Sequence, residues 1–324
     1  MMNCICLIIC YFGKFPNYFN VWLESCKKNN KIDFLIITDQ NINMENSKNI
    51  KLLNITLKQL NEICKRKLRL DIDIKKPYKI CDFRPAYGII FEDYLKEYKF
   101  WGHCDLDVIF GDVTKFIHND ILLKYDRILI NGNLSLYKNN KKMNNLFKKN
   151  GSIYDYKTVF ESECFFAFDE FSGINRIAEK NNIKTYVGNF VADITPKYKK
   201  FDLCYEKNYK YQVFYYEDNK IMKAYINEED KICYKEYSHI HFQKRTINFE
   251  NYKNMSNFYI TSKGIFKKDT KVTKEDIKKY SFYNKKINIL YDYIFYNIGK
   301  ICHFFYIDNR QKKIWIKQKL DKLK

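Results

Sequence analysis

NCICLIICYFGKFPNYFNVWLESCKKNNKIDFLIITD, residues 3–39, holds two near-continuous apolar runs with an amphipathic stretch between them. Residues 3–11 lack the alternation of a half-exposed strand, so they predict a strand buried on both faces. Gly13-Lys14-Phe15-Pro16 makes a turn. Residues 17–29 place Phe19, Val21, Trp22, Leu23 and Cys26 at roughly helical spacing. DFLIITD, 33–39, is a second buried strand ending in Asp39, and IKLLNI, 50–55, is a third. Strand, helix, strand is how a parallel α/β sheet begins.

The pattern continues along the chain. Residues 56–69 predict a helix, and KPYKICDFRPAYG, 76–88, a loop that leads into the helix AYGIIFEDYLKEY with Pro85 in its first turn. KFWGHCDLD, DRILING, ECFFAFDE and KTYVG predict further strands, and FSGINRIAEKNN a helix. From about residue 200 short Tyr-rich strands such as YKYQVFYYEDNKIMKAY suit an antiparallel arrangement, closed by YSHIHFQKR at 237–245. Residues 273–324 are basic and helical in pattern. The expectation is an α/β fold: a central, mostly parallel sheet flanked by helices, a smaller antiparallel region and a C-terminal helical extension. The expected division is a domain over 1–250 and a basic, mainly helical extension over 251–324.

Bulk properties bound the function classes. The chain has 324 residues, 46% of them hydrophobic and only 10 Gly and 4 Pro, which suits a large buried core and argues against a long disordered linker. The net charge of +20 points to an anionic partner. The lysines, however, are scattered among Asn, Ile, Tyr and Phe throughout, the residue set an AT-rich genome favours, rather than gathered in one basic arm. Eleven cysteines form no C-x-x-C pair and no zinc spacing, so a reducing cytoplasm is the simplest setting. The N-terminus has no basic region ahead of its short apolar run, so a buried first strand is expected there rather than a signal peptide. No run reaches the ~20 apolar residues of a spanning helix.

Three segments carry chemistry. In WGHCDLDVIFGD, 101–112, His103, Asp105 and Asp107 share one side if the strand continues through them. Two carboxylates at a strand end would hold a divalent ion such as Mg²⁺ or Mn²⁺, or stand as two solvated acids. LDID at 70–73 repeats the spacing in a charged loop and is set aside. HIHFQKR, 239–245, offers His239 and His241 on one side, with Lys244 and Arg245 beside them for phosphate oxygens. The other reading is a core histidine and a basic loop. Lys79, Asp82 and Arg84 precede a helix and could face an anionic ligand, or be a solvated loop. Asp39 ends a strand where an acid meets a ribose in nucleotide-binding folds.

Taken together, YFGKFP, FLIITD, YKICDFRPAYG, FWGHCDLDVIFGD and HFQKR resemble the GT-A fold of nucleotide-diphospho-sugar glycosyltransferases. More closely they resemble a bacterial, polysaccharide-associated glycosyltransferase-like family. The resemblance covers about residues 3–250. It implies a D-x-D motif in which Asp105 and Asp107 bind Mn²⁺ or Mg²⁺, with His241 completing the shell and His239 in reserve. It implies that Lys244 contacts the diphosphate, although the Gly and KPW that flank such a lysine elsewhere are absent. Tyr11, Phe12, Gly13 and Asp39 fall on the nucleoside side, and Lys79, Asp82 and Arg84 where donor contacts occur. The implied reaction moves a sugar from a nucleotide-diphosphate donor to a saccharide or lipid-linked saccharide acceptor, in capsule or lipopolysaccharide synthesis.

An inverting enzyme needs a general base, for which Asp169, Glu170 and Asp193 are candidates; helix caps or solvated acids are the other reading. NGNLSLYKN, 131–139, borders the acceptor by resemblance. Two rivals remain: a metal-dependent phosphoester hydrolase or nuclease, which would use the same carboxylates and histidines, and a non-catalytic basic module on nucleic acid or membrane. The non-catalytic module leaves the ordered acid pair without a purpose, and nucleic acid is the less favoured partner. The basic C-terminal helices suit peripheral contact with the anionic inner face of the plasma membrane, or packing on the main domain.

Overall fold

The structure, a computed structural model, describes residues 3–42, 47–197, 199–243, 245, 247 and 256–281. Its largest sheet has seven strands, in the order β3-β2-β1-β4-β7-β6-β8. These are β1 (Ile5–Cys10), β2 (Ile32–Thr38), β3 (Ile50–Asn54), β4 (Phe100–Cys104), β6 (Arg127–Asn131), β7 (Leu134–Lys138) and β8 (Thr185–Tyr186), with β5 (Val108–Phe110) lying outside it. β3, β2, β1 and β4 run parallel, β7 is antiparallel to both β4 and β6, and β8 is parallel to β6.

The apolar runs explain the centre of this sheet. Successive residues of β1 face opposite sides, Cys6 and Ile8 into one core and Ile5, Leu7 and Ile9 into another, so an unbroken apolar run is what both cores require. Helix α1 (Phe19–Lys28) covers one face with Phe19, Trp22, Leu23 and Cys26, spaced three and four apart, and ends on Lys27 and Lys28, which suit its negative pole. Helix α2 (Leu57–Leu68) begins with a reciprocal Thr56–Gln59 capping box and stops at Arg69 in the left-handed region at φ 56°.

The second and third sheets draw on the C-terminal half, with β5 the exception. β9 (Val191–Asp193), β13 (His239–His241) and β5 form a three-stranded sheet, β13 lying between the other two. β10 (Gln212–Glu217), β11 (Lys220–Ile226), β12 (Ile232–Tyr237), β14 (Phe258–Thr261) and β15 (Gly264–Lys267) form a five-stranded antiparallel sheet in the order β12-β11-β10-β14-β15. Asp218 and Asn219, at φ 48° and 60°, close its β10–β11 hairpin, as a two-residue turn matched to strand twist requires.

Four expectations change. The acids of WGHCDLDVIFGD do not continue a strand: β4 stops at Cys104, residues 105–107 bend, and β5 starts a different sheet. ECFFAFDE is not a strand but a turn-rich loop, with Ala167 at φ 52°. The 76–88 loop is a 3₁₀ helix over Pro77–Ala86, and the helix after it breaks at Phe91 into Tyr87–Ile90 and Glu92–Leu95. Residues 258–267, in the segment expected to be mainly helical, are the β14–β15 hairpin paired to β10. A helix at Lys274–Tyr280 follows it, and the basic stretch from 282 lies outside the described residues. Among the described residues no helix is long and apolar enough to cross a membrane.

Candidate metal and ligand site

The chain order along the large sheet reverses between β1 and β4. It runs outward from β1 through β2 to β3, then returns to place β4 on the other side of β1. The crevice beyond the carboxyl ends of strands at such a switch point is where open α/β sheets bind ligands. Tyr11, Phe12 and Gly13 follow β1 there, and Asp105 follows β4.

Asp105, Asp107 and His241 meet at this edge, each offering a ligand atom, with all three atoms within 4.8 Å of one another. Pairing explains the meeting. His241 lies opposite Val108 of β5 on one side and Asp193 of β9 on the other. The Phe242 N–H donates to the Asp107 carbonyl at 3.0 Å, and the Asp105 N–H to the Asn133 carbonyl at 3.2 Å, so backbone bonds fix the bend that carries both acids.

The imidazole is held from both sides. Its Nδ1 is 2.7 Å from Asp193 Oδ1, and its Nε2 is 3.4 Å from Asp107 Oδ1. Burial alone would lower the ring's pKa, but Asp107 and Asp193 outweigh it and raise it to about 10. Asp193 is held down in turn: burial pushes it up, and His241 and Gln243 bring it below the usual carboxylate value. Two carboxylate oxygens and an imidazole whose far nitrogen is fixed by a second carboxylate are a donor set that fits a hard divalent ion. Tyr18 stands close by: burial raises its phenol, and so do the charges of Asp107 and Asp105.

His239 and His103 are elsewhere. His239 is fully buried beside Ser238, and burial lowers it to about 3. His103 is fully buried on β4, an interior strand between β1 and β7, opposite Ile8 and Ser135.

Arg84 joins this edge to a second group of acids. Its guanidinium pairs with Asp105, donates to Asp169 Oδ2 at 2.9 Å and reaches the Gly132 carbonyl at 3.2 Å. Glu170 Oε1 accepts from the Gly132 N–H at 2.7 Å. A side chain at 132 would set its Cβ 2.8 Å from Glu170 Oε1 and 3.1 Å from Arg84 Nη1, so both side-chain ends would have to move to admit it. Asp169 is buried, and desolvation pushes its carboxyl up to about 8 against the pull of Arg84. None of Asp169, Glu170 and Asp193 is a helix cap or a freely solvated acid: each has a defined partner.

Lys79 and Asp82, expected at a ligand, are corrected by their burial. The Lys79 side chain is 2% exposed and that of Asp82 0%. Lys79 Nζ donates to Asp82 at 2.8 Å and to the carbonyls of Val159 and Cys164 at 2.7 and 2.6 Å. At the other end of the edge, Gly13, at φ 91°, donates its N–H to Asp39 Oδ1 at 2.9 Å, so these two expected neighbours do meet. The backbone there needs the left-handed region that glycine enters freely. Phe12 is buried and Tyr11 half-buried against Phe15. Lys244 lies outside the described residues; Arg245 beside it turns inward to the Phe242 and Thr195 carbonyls. Sequence reasoning missed Arg84 as a bridge, Tyr18 and Gly132 because each acts through partners distant in the chain.

No curated protein matches the chain. Among solved structures it is similar to the galactosyltransferase LgtC in complex with donor and acceptor sugar analogs. That match has 9% identity and a TM-score of 0.37, and covers 58% of this chain and 75% of that one. The family described as a family of unknown function, DUF6625, matches residues 7–269, and the chain belongs to it.

Proposed function

We propose that the protein is a metal-dependent glycosyltransferase that moves a sugar from a nucleotide-diphosphate donor to a saccharide acceptor. The observation that carries this reading is the convergence of Asp105, Asp107 and His241 at the switch point of the sheet. Asp105, Asp107 and His241 would hold Mn²⁺ or Mg²⁺. That ion would offset the charge that develops on the diphosphate leaving group.

The chain's own residues do the rest. Asp193 holds Nδ1 of His241 and so aims Nε2 at the acids. Arg84 balances the charge of Asp105 and Asp169, which would otherwise repel across one crevice. Gly13 and Asp39 form the nucleoside end of the edge, with Tyr11 and Phe12 beside them. Glu170, held by the Gly132 N–H, and Asp169, held by Arg84, stand on the other side as candidates to take the acceptor proton, Asp169 only once its raised carboxyl has ionised. Lys244 supplies a cation to the diphosphate. The setting is bacterial surface polysaccharide synthesis at the inner face of the plasma membrane, with the basic C-terminal segment in contact with anionic lipid.

The test is thermal shift with UDP, GDP and CMP, each with and without Mn²⁺. One nucleotide should raise the Tm only with Mn²⁺, and Asp107→Ala should abolish that rise. Tight DNA binding with no response to any nucleotide would overturn the reading in favour of a nucleic-acid protein. Mn²⁺-dependent cleavage of a phosphodiester with no sugar transfer would favour a hydrolase.

A further inference from the structure

The loop that carries Asp169 and Glu170 has no strand or helix to hold it between Cys164 and Phe171. Its backbone donors must find partners elsewhere, because unpaired buried N–H groups are costly. One buried carboxylate serves two of them. Asp82 accepts from the Phe166 N–H at 3.0 Å and from the Phe168 N–H at 2.9 Å. Lys79, paired to Asp82, donates to the carbonyls of Val159 and Cys164 just upstream. Ser172 Oγ bonds the Ala167 carbonyl at 2.8 Å and also that of Phe166. Two residues after Asp82, Arg84 grips the side chains of Asp105 and Asp169. The 3₁₀ segment 77–86 thus holds the backbone of the acid loop with one residue, and with another ties that loop's acid to the metal-side acid.

We infer that Asp82, supported by Lys79, is a positioning residue: it sets the register of the Asp169–Glu170 corner against Asp105, and acts on the reaction only through that corner. Its consequence for turnover rests on the glycosyltransferase reading; its consequence for the loop does not. Three observations favour register over mere filling. The two N–H groups Asp82 accepts are two residues apart, so they fix the direction of the chain as well as its place. The residue between them, Ala167, lies at φ 52°, a conformation that a non-glycine residue keeps only when its surroundings impose it. The corner is also tied from its other side, where Glu170 Oε1 accepts from the Gly132 N–H at 2.7 Å and Arg84 reaches the Gly132 carbonyl at 3.2 Å.

The experiment uses the full chain and Asp82→Asn, which keeps shape but loses one acceptor oxygen and the charge. Amide exchange by mass spectrometry should speed up in peptides covering 164–172 by about tenfold or more beyond any change that the lower global stability gives peptides covering β1 and β4. Mn²⁺ affinity, read by EPR with the metal alone, should stay within about twofold, because its three ligands lie on other segments. With a donor that the wild type turns over, kcat should fall by about tenfold or more with KM for the donor nearly unchanged. If Asp82→Asn does not fold, the neutral pair Lys79→Met with Asp82→Asn carries the same readouts. Wild-type exchange over 164–172 would overturn the inference, and so would acceleration spread equally through β1 and β4. Failure of the wild type to bind Mn²⁺ would count against the functional reading and leave the exchange result to judge the clamp.

Discussion

Two cation–acid groups stand near one another in this protein and have opposite fates. Arg84 with Asp105 lies at an edge, partly open, and Asp105 also faces Asp107 and His241. Lys79 with Asp82 lies inside, spaced three residues apart on one 3₁₀ segment, with its atoms committed to backbone groups. The residue types do not separate scaffold from site. What separates them is whether the neighbouring backbone has its own hydrogen bonds. Around Asp105 the backbone is paired between strands or with Asn133, which leaves side-chain oxygens for a ligand. Around residues 164–168 it is not, and the carboxylate of Asp82 is consumed in supplying what is missing.

Removing one member from each group should expose that difference most strongly. Lys79→Met leaves Asp82 as a buried carboxylate without its cation, and should lower unfolding free energy by about 3–5 kcal/mol in urea titrations. Asp105→Asn leaves Arg84 with Asp169 and the Gly132 carbonyl, and should change stability by no more than about 1 kcal/mol. The same Asp105→Asn protein should lose the stabilisation that Mn²⁺ gives the wild type. Equal stability losses in the two variants would erase the distinction.

A smaller effect is expected one step behind the proposed metal ligands. Asp193→Asn keeps the fold but no longer holds the His241 ring as an anion does. Mn²⁺ affinity by calorimetry should drop by about 10–100-fold. An unchanged affinity would show that Asp193 does not orient the imidazole.

Lys223 gives the weakest and most graded test, since it is a buried cation with no carboxylate in ion-pair range among the described residues. Its Nζ lies over the rings of Tyr209 and Tyr225 and donates to the Lys207 carbonyl at 3.3 Å. Burial lowers its pKa from 10.5 to about 8, with Glu206 opposing. Between those values the unfolded chain carries a proton that the folded chain lacks, so this group's contribution to stability rises with pH across the window. Lys223→Met should be more stable than wild type at pH 7, and the gap should narrow as pH climbs past 8 toward 10.5. A gap that does not depend on pH would mean that packing, and not charge, sets the difference.

Much of the fold could be read from residues 3–39, because buried parallel strands announce themselves as unbroken apolar runs and α1 has its apolar residues three and four apart. Asp105 and Asp107 were legible as a pair through their spacing, and His241 through the resemblance that HFQKR carries. The bend after Cys104 was not legible, since nothing in DLD breaks a strand; β5 leaves because β13 pairs with it, a partner more than a hundred residues away. ECFFAFDE has the composition of a strand, yet its N–H groups are claimed by Asp82 before any strand can reach them. The burial of Lys79 was hidden for the same reason: it depends on carbonyls 80 and 85 residues further on.

The insertion of β13 between β5 and β9 has a kinetic consequence. His241 reaches Asp107 only when segments from the middle and the far end of the chain have come together, and such distant closures are slow to form. A partly folded chain therefore has the acids but not the imidazole. Divalent metal would act as a lock on the finished molecule: it would slow escape from the native state far more than it speeds arrival there.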